Sequence, residues 1–223
     1  MTTYFLTFVL KSDTTFGRGD GVAGLLNREV EHDRYGLPYL RGRTLKGLLS
    51  EEADNILYAL QAQTSSETLS TWRDARNALF GQSGSSRQKQ AIMHYGHAML
   101  PQPVREAVIA SLGPTLTPSD ILESLTSLRR QTAIDENGVP VDKSLRTMRV
   151  ILRETNFAAT LQSKRDLCPR EEALLSVATM ALRRAGTGRN RGRGRLQANL
   201  LDANQASILA TGYQFFTQGG IQA

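Results

Sequence analysis

A segment of closely spaced arginines and glycines constrains this chain more than any other feature. Residues 183–195, the arginine loop, contain six arginines, four glycines and no acidic residue. The chain has 27 lysines and arginines against 21 aspartates and glutamates, so these six arginines account for its whole net charge of +6. Glycine lets a backbone approach a ligand and present its N–H groups, and arginine binds phosphate through two parallel hydrogen bonds. The segment therefore predicts a polyanion-binding loop; the alternative is a solvated loop without a ligand.

The overall composition narrows the class of protein. Hydrophobic residues make up 40% of the chain, which is enough for a folded core. A pI near 9.8 favours nucleic acid or another anionic partner. The single cysteine, Cys168, excludes an intrachain disulfide and a cysteine-based metal site. The apolar runs are too short to span a membrane and the N-terminus lacks the features of a secretory signal, so we expect no membrane partner and a cytoplasmic location.

Hydrophobic periodicity and turn residues predict an α+β fold. We expect strands at 2–11 and 196–201, an extended hairpin over 131–162 with an Asn137-Gly138 turn, and helices at 45–60 (capped by Thr44), 70–80, 103–112, 118–130 and 169–185. The order is compatible with a ferredoxin-like βαββαβ core that carries insertions. We expect one domain over 1–223, with a glycine-rich loop at 12–43, an insertion at 81–130 and a hairpin at 131–150.

Four stretches, in order, carry a resemblance to a known family. They are Gly36-Leu-Pro-Tyr-Leu-Arg-Gly-Arg-Thr-Leu-Lys-Gly-Leu-Leu49, Ala78-Leu-Phe-Gly81, Gln131–Asp135 with Ser144–Thr147, and Gly186–Leu196. The first resembles the G-x-P-Y-I-P-G-S-S-L-K-G signature of RAMP (repeat-associated mysterious protein) subunits of CRISPR effectors, and the second resembles their L-F-G. The third is similar to the thumb of type III backbone subunits, and the fourth to the C-terminal glycine-rich loop of the superfamily.

The resemblance implies a modified ferredoxin-like or RNA-recognition-motif-like core with an inserted finger region and a protruding thumb hairpin. It also implies a type III backbone subunit that binds CRISPR guide RNA, supports pairing with target RNA, and contacts other RAMP subunits and the large subunit of the effector complex. A groove of arginines and glycines suits this role, because it follows a phosphate backbone without reading bases. The RNA-binding candidates are Arg41, Arg43, Lys46, Arg130, Arg146, Gly188, Arg189, Arg191, Arg193 and Arg195.

Catalysis is the open alternative. Type III backbone subunits that cut target RNA carry an aspartate in the loop after the first strand, and alignment on the first motif places Asn27 there. Asparagine cannot act as a base and is a poorer metal ligand than a carboxylate. Asp20 and Asp33 are the candidate catalytic residues if the register differs, and His32 could process a guide precursor. No cofactor is expected unless the protein is a nuclease, which would then require Mg²⁺ or Mn²⁺.

Overall fold

The computed structural model describes residues 1–19, 21, 27–82, 90–133, 135–139, 141 and 144–218. In chain order the elements are β1 (Thr2–Leu10), α1 (Gly42–Leu60), α2 (Ser66–Phe80), β2 (Met93–Tyr95), α3 (Gln102–Ser111), α4 (Pro118–Leu125), β3 (Thr126–Gln131), β4 (Arg146–Ile151), β5 (Asn156–Ser163), α5 (Pro169–Ala181), β6 (Leu196–Leu201) and α6 (Leu209–Gln218). A short 3-10 turn spans Arg189–Arg191 within the arginine loop.

The core sheet has the strand order β2-β5-β1-β6, and all its neighbouring strands are antiparallel. Strand β1 is central, and its alternating residues Tyr4, Leu6, Phe8 and Leu10 are each at most 4% exposed. Phe8 lies opposite Phe157 of β5, with ring centroids 5.1 Å apart. With α1 between β1 and β2, and α5 between β5 and β6, this arrangement confirms the predicted ferredoxin-like core.

The helices form a layer built around α5, which packs against α1, α2 and α6. Trp72 of α2 is fully buried and meets Phe216 of α6 at a centroid distance of 5.0 Å. Helix α2 begins at Ser66, earlier than predicted, because Ser65 accepts a hydrogen bond from the Thr68 N–H and caps it. The predicted helix at 169–185 ends at Ala181.

Helix α1 begins at Gly42, so the predicted cap at Thr44 is wrong. The N–H of Gly42 instead donates to the imidazole Nδ1 of His97 at 2.9 Å. A cap supplied by a residue 55 positions away leaves no local signal. The buried face of α1 agrees with the predicted one, since Leu45, Leu49 and Ala53 are fully buried.

The region of the predicted hairpin differs from the prediction. The helix expected over 118–130 ends at Leu125, and β3 then pairs with β4 in a separate two-stranded sheet, the β3–β4 hairpin (126–151). Strand β5, placed in the same hairpin by the prediction, pairs with β1 in the core sheet. The range 81–130, predicted as an insertion, includes β2 of the core sheet. Consecutive exposed arginines interrupt the apolar alternation of β3, so the sequence pattern does not predict a strand there.

Candidate nucleic-acid interface

The first motif positions the start of α1 against the edge of the core sheet. Leu40 forms a bridge with Ala98, and α1 starts two residues later. A Cβ on Gly42 would lie 2.0 Å from the carbonyl oxygen of Tyr95, so only glycine permits this approach. The preceding residue, Arg41, is thereby held at the N-terminal end of the helix with its side chain exposed.

Backbone hydrogen bonds hold the arginine loop in place. The Ala185 N–H donates to the Gly194 carbonyl at 2.9 Å, which closes the base of the loop. The Thr187 N–H donates to the Thr15 carbonyl at 2.9 Å, which attaches the loop to the segment after β1. Gly194 has φ +72° and would place a Cβ 1.9 Å from the Ala185 carbonyl oxygen. Position 194 therefore requires glycine for two reasons: the left-handed backbone conformation, and the lack of room for a Cβ beside Ala185.

A cleft of about 760 Å³ lies where these segments meet. One wall comes from the segment after β1, another from the first motif and the first turns of α1, and the third from the arginine loop. From α1 the cleft takes Thr44, Gly47, Leu48 and Glu51, whose spacing places them on one helix face. Arg41 and Arg189, two of the predicted RNA-binding residues, both line it. Residues more than 140 positions apart in sequence thus share one concave surface.

Carboxylates face the arginines of this cleft. Arg41 Nη2 lies 2.9 Å from Oε1 and 2.8 Å from Oε2 of Glu31, and the Tyr39 hydroxyl donates to Glu31 at 2.7 Å. Burial raises the pKa of the Glu31 carboxyl, but the hydrogen bonds from Arg41 and Tyr39 outweigh it and hold that pKa below its usual value. Burial, together with the bond to Glu31, raises the pKa of Tyr39.

Two further pairs extend this arrangement. Arg149 of β4 donates through Nε to Glu29 at 2.9 Å, and both side chains are largely buried. Arg189 donates through Nη1 and Nη2 to the two oxygens of Glu51, at 3.0 Å each. The sequence interpretation missed Glu29, Glu31, Glu51, Tyr39 and Arg149. A strand-like alternation around Val30 would predict that Glu29 and Glu31 are exposed, whereas both are buried, so the local pattern does not mark them as site residues.

The other predicted RNA-binding residues lie outside the cleft lining. Lys46 lines a second opening, of about 420 Å³, together with His94 and Lys164. This opening shares no lining residue with the cleft. Arg43, Arg191 and Arg195 are exposed, and Arg193 contacts Met148 Sδ of β4. Gly188 precedes the 3-10 turn in a left-handed conformation. Arg130 and Arg146 are exposed at the far end of the β3–β4 hairpin.

The structure describes one of the two catalytic candidates. Asp20 lies outside the described residues. Asp33 shapes a turn by accepting from the N–H groups of Tyr35 at 2.9 Å and Leu37 at 3.1 Å, and it pairs with Arg105 at 3.3 Å. It is not part of the cleft lining, whereas Asn27 is. Within the parts of the chain that the structure describes, no group of three or more histidine, cysteine and acidic side chains could hold a metal ion.

The fold and the cleft define a class of protein: a ferredoxin-like, RNA-recognition-motif-type domain with a glycine-rich arginine loop beside its first helix. The sequence matches the model of the RAMP superfamily over residues 7–197. The chain therefore belongs to the RAMP superfamily, as its motifs indicate. No curated protein matches it significantly. Across the described residues, none of the helices is both long and apolar enough to cross a membrane.

Chains from three CRISPR complex structures share this fold. A chain from the cryo-EM structure of the type III-B Cmr-beta bound to cognate target RNA matches with a TM-score of 0.62 at 10% identity, covering 90% of this chain and 97% of that one. The apo state of Cmr-beta gives 0.62 at 11% identity, covering 89% and 96%. A chain of a type IV-B CRISPR complex gives 0.57 at 12% identity, covering 89% and 90%. At these identities the likeness concerns the fold.

Proposed function

We propose that this protein is a guide-RNA-binding backbone subunit of a type III CRISPR effector complex. The observation that carries the proposal is the cleft in which Arg41 of the first motif and Arg189 of the arginine loop face the same space. Membership of the RAMP superfamily and the fold shared with chains of CRISPR complexes support it. Its partners in this role are guide RNA, target RNA, other RAMP subunits and the large subunit, in the cytoplasm.

The chemistry of the cleft suits backbone binding. Arginine guanidinium groups and the glycine-rich backbone offer N–H donors to phosphate oxygens, which are the same at every nucleotide. The Arg41 side chain is 54% exposed and contacts Glu31 through Nη2, which leaves Nε and Nη1 as donors for a ligand. A subunit that holds phosphates leaves the base edges of the guide available for pairing with target RNA. It can therefore hold any guide sequence.

The proposal assigns no nuclease activity to Asn27. Its side-chain oxygen accepts from the backbone N–H of Thr147 at 2.8 Å, and an amide is a poor activator of a nucleophile. Mg²⁺ or Mn²⁺ is required only if the protein is a nuclease in which a carboxylate such as Asp20 binds the metal ion or activates the nucleophile.

Sequencing of co-purifying RNA tests the proposal most directly. We expect the protein purified from cells carrying a CRISPR array to hold repeat-derived guide RNA. Bulk cellular RNA in its place would reduce the protein to a generic RNA binder and contradict the assignment.

Substitution of the cleft arginines tests the surface. We expect Arg189→Ala and Arg41→Ala each to weaken binding of single-stranded RNA and to reduce the log–log salt slope by about one per lost phosphate contact. Arg73→Ala is the matched control, since Arg73 is an exposed arginine of α2 that lines a different surface. Equal affinities and slopes for all three variants and the wild type would show that RNA binds elsewhere.

A further inference from the structure

We infer that Glu51 acts as an internal competitor of RNA, occupying the phosphate-binding face of Arg189 until RNA displaces it. This inference rests on the proposed function of the cleft. Glu51 lies on the cleft-facing side of α1, and the arginine loop brings Arg189 to it across 138 residues of sequence. An acidic side chain in this position is unexpected in a cleft that binds a polyanion.

The geometry of the pair is that of a phosphate mimic. Glu51 Oε2 accepts from Arg189 Nη1 at 3.0 Å, and Oε1 accepts from Nη2 at 3.0 Å. This is the two-pronged arrangement in which a guanidinium also binds two oxygens of a phosphate. A phosphate that binds through Nη1 and Nη2 must therefore take the place of the Glu51 carboxylate.

Exposure makes the exchange feasible. The side chains of Arg189 and Glu51 are 36% and 48% exposed, so both remain in contact with water. Exposed ion pairs contribute little to stability, because water and salt screen them. RNA can consequently displace Glu51, and the freed carboxylate is solvated rather than left buried.

The arginine loop does not depend on this pair for its position. Thr187 donates to the Thr15 carbonyl and Ala185 donates to the Gly194 carbonyl, both at 2.9 Å. Arg184 Nη1 also donates to the Arg189 carbonyl at 2.8 Å. These bonds fix the loop backbone, so the pair with Glu51 governs only where the guanidinium of Arg189 points and what it can bind.

Glu31 provides the contrast within the same cleft. Its side chain is only 9% exposed, and it holds Arg41 through a single nitrogen while Tyr39 binds one of its oxygens. Displacing it would leave a buried carboxylate without its cation, which is unfavourable. Glu31 is therefore a positioning residue that orients Arg41 toward RNA, and the two glutamates have opposite effects on binding.

The test compares RNA affinities of purified full-length variants by fluorescence anisotropy with a labelled single-stranded RNA. We expect Glu51→Gln to bind RNA about twofold to fivefold more tightly than the wild type. RNA then no longer has to break an exposed ion pair, and the strength of such a pair corresponds to a change in affinity of about this factor. Asp54→Asn is the matched control: like Glu51→Gln, it removes one negative charge from α1 and breaks a pair with an arginine, here Arg76, but at a different surface. We expect it to leave the affinity nearly unchanged, and Glu31→Gln to weaken binding.

A double mutant separates the competitor from a general charge effect. The gain from Glu51→Gln should disappear in an Arg189→Ala background, because the competition requires Arg189. The following outcomes apply if Arg189→Ala weakens binding. The inference is overturned if Glu51→Gln binds RNA more weakly than the wild type, or if its gain in affinity only equals that of Asp54→Asn. It is also overturned if the gain persists in the Arg189→Ala background. If Arg189→Ala itself leaves affinity unchanged, the proposed role of the arginine loop fails instead. Thermal melting of each variant confirms that affinities are compared between folded proteins.

Discussion

Asn27 and Thr147 form two hydrogen bonds with each other: the Asn27 side-chain oxygen accepts from the Thr147 N–H at 2.8 Å, and the Asn27 N–H donates to the Thr147 carbonyl at 2.8 Å. The next residue continues the contact, because Arg149 N–H donates to the Arg28 carbonyl at 3.1 Å. The segment after β1 thus lies along strand β4 like an additional strand. The wall of the cleft and the β3–β4 hairpin are therefore coupled mechanically.

Removing the Asn27 amide should loosen this coupling. Asn27→Ala deprives the Thr147 N–H of its acceptor, and we expect a loss of about 1 kcal/mol in the free energy of unfolding together with faster amide exchange at Thr147. Asn27→Asp keeps an oxygen at the same place and should preserve the protection of Thr147. Urea denaturation and hydrogen exchange by NMR measure both effects. If the two variants exchange equally fast at Thr147, the side-chain bond does not hold the segment.

Target RNA bound opposite this subunit should stay intact. The resemblance to type III backbone subunits that cut target RNA implies an aspartate at the position of Asn27. The amide of Asn27 offers neither a base nor a strong metal ligand, so we expect it not to activate a nucleophile. The measurement is an assembled complex with labelled target RNA and Mg²⁺ or Mn²⁺. Cleavage that Asp20→Ala or Asp33→Ala abolishes would show that the protein is a nuclease with a different register in this loop. Cleavage that only Asn27→Ala abolishes would place the amide itself in an active site.

The tip of the β3–β4 hairpin should serve assembly rather than folding. Val139 and Val141 are 55% and 45% exposed, and Leu145 just before β4 and Leu128 within β3 are also exposed, which is unfavourable for a free surface. Deleting residues 133–143 retains all the paired residues of β3 and β4 and leaves a three-residue connection, a common hairpin length. We expect a folded monomer that no longer assembles along RNA, as seen by size-exclusion chromatography and electron microscopy. Full-length filaments formed by the deletion variant would contradict this role.

Local patterns predicted the elements whose signals lie within a few residues. Strand β1 was readable because its apolar residues alternate, and α4 starts as predicted because Thr117 caps it and Pro118 occupies its first position. The arginine loop was recognisable from charge and glycine content, and so was the motif that precedes α1. These signals were sufficient for the fold class and for two of the residues that line the cleft.

Contacts between distant residues could not be predicted in this way. The cap of α1 comes from His97, and Glu51 meets Arg189, 138 residues away, only in the folded chain. An isolated glutamate on the polar side of an amphipathic helix is typical of a solvated surface, so nothing in the sequence distinguishes Glu51 from its neighbour Glu52. Likewise, the tertiary contacts that pair β3 with β4 prevailed over a helical pattern near residue 126.

The two neighbouring glycines of the arginine loop allow a test of its construction. Gly192 and Gly194 both adopt a left-handed conformation, with φ +77° and +72°. A Cβ at Gly192 would meet nothing within 4 Å, whereas one at Gly194 would lie 1.9 Å from the Ala185 carbonyl oxygen. Gly192→Ala therefore introduces only backbone strain, at about 1 kcal/mol. Gly194→Ala introduces the same strain and also separates the two ends of the loop.

We expect Gly194→Ala to lower the free energy of unfolding by roughly 2 kcal/mol or more and to weaken RNA binding by about tenfold. The reason is that the bond from Ala185 to Gly194 closes the loop, and its loss displaces the backbone that carries Arg189. Gly192→Ala should retain most of the wild-type affinity, because that bond stays intact. Thermal denaturation and RNA titrations of both variants provide the comparison. Equal affinities for the two variants would show that closure of the loop at Gly194 does not determine how Arg189 is presented to RNA.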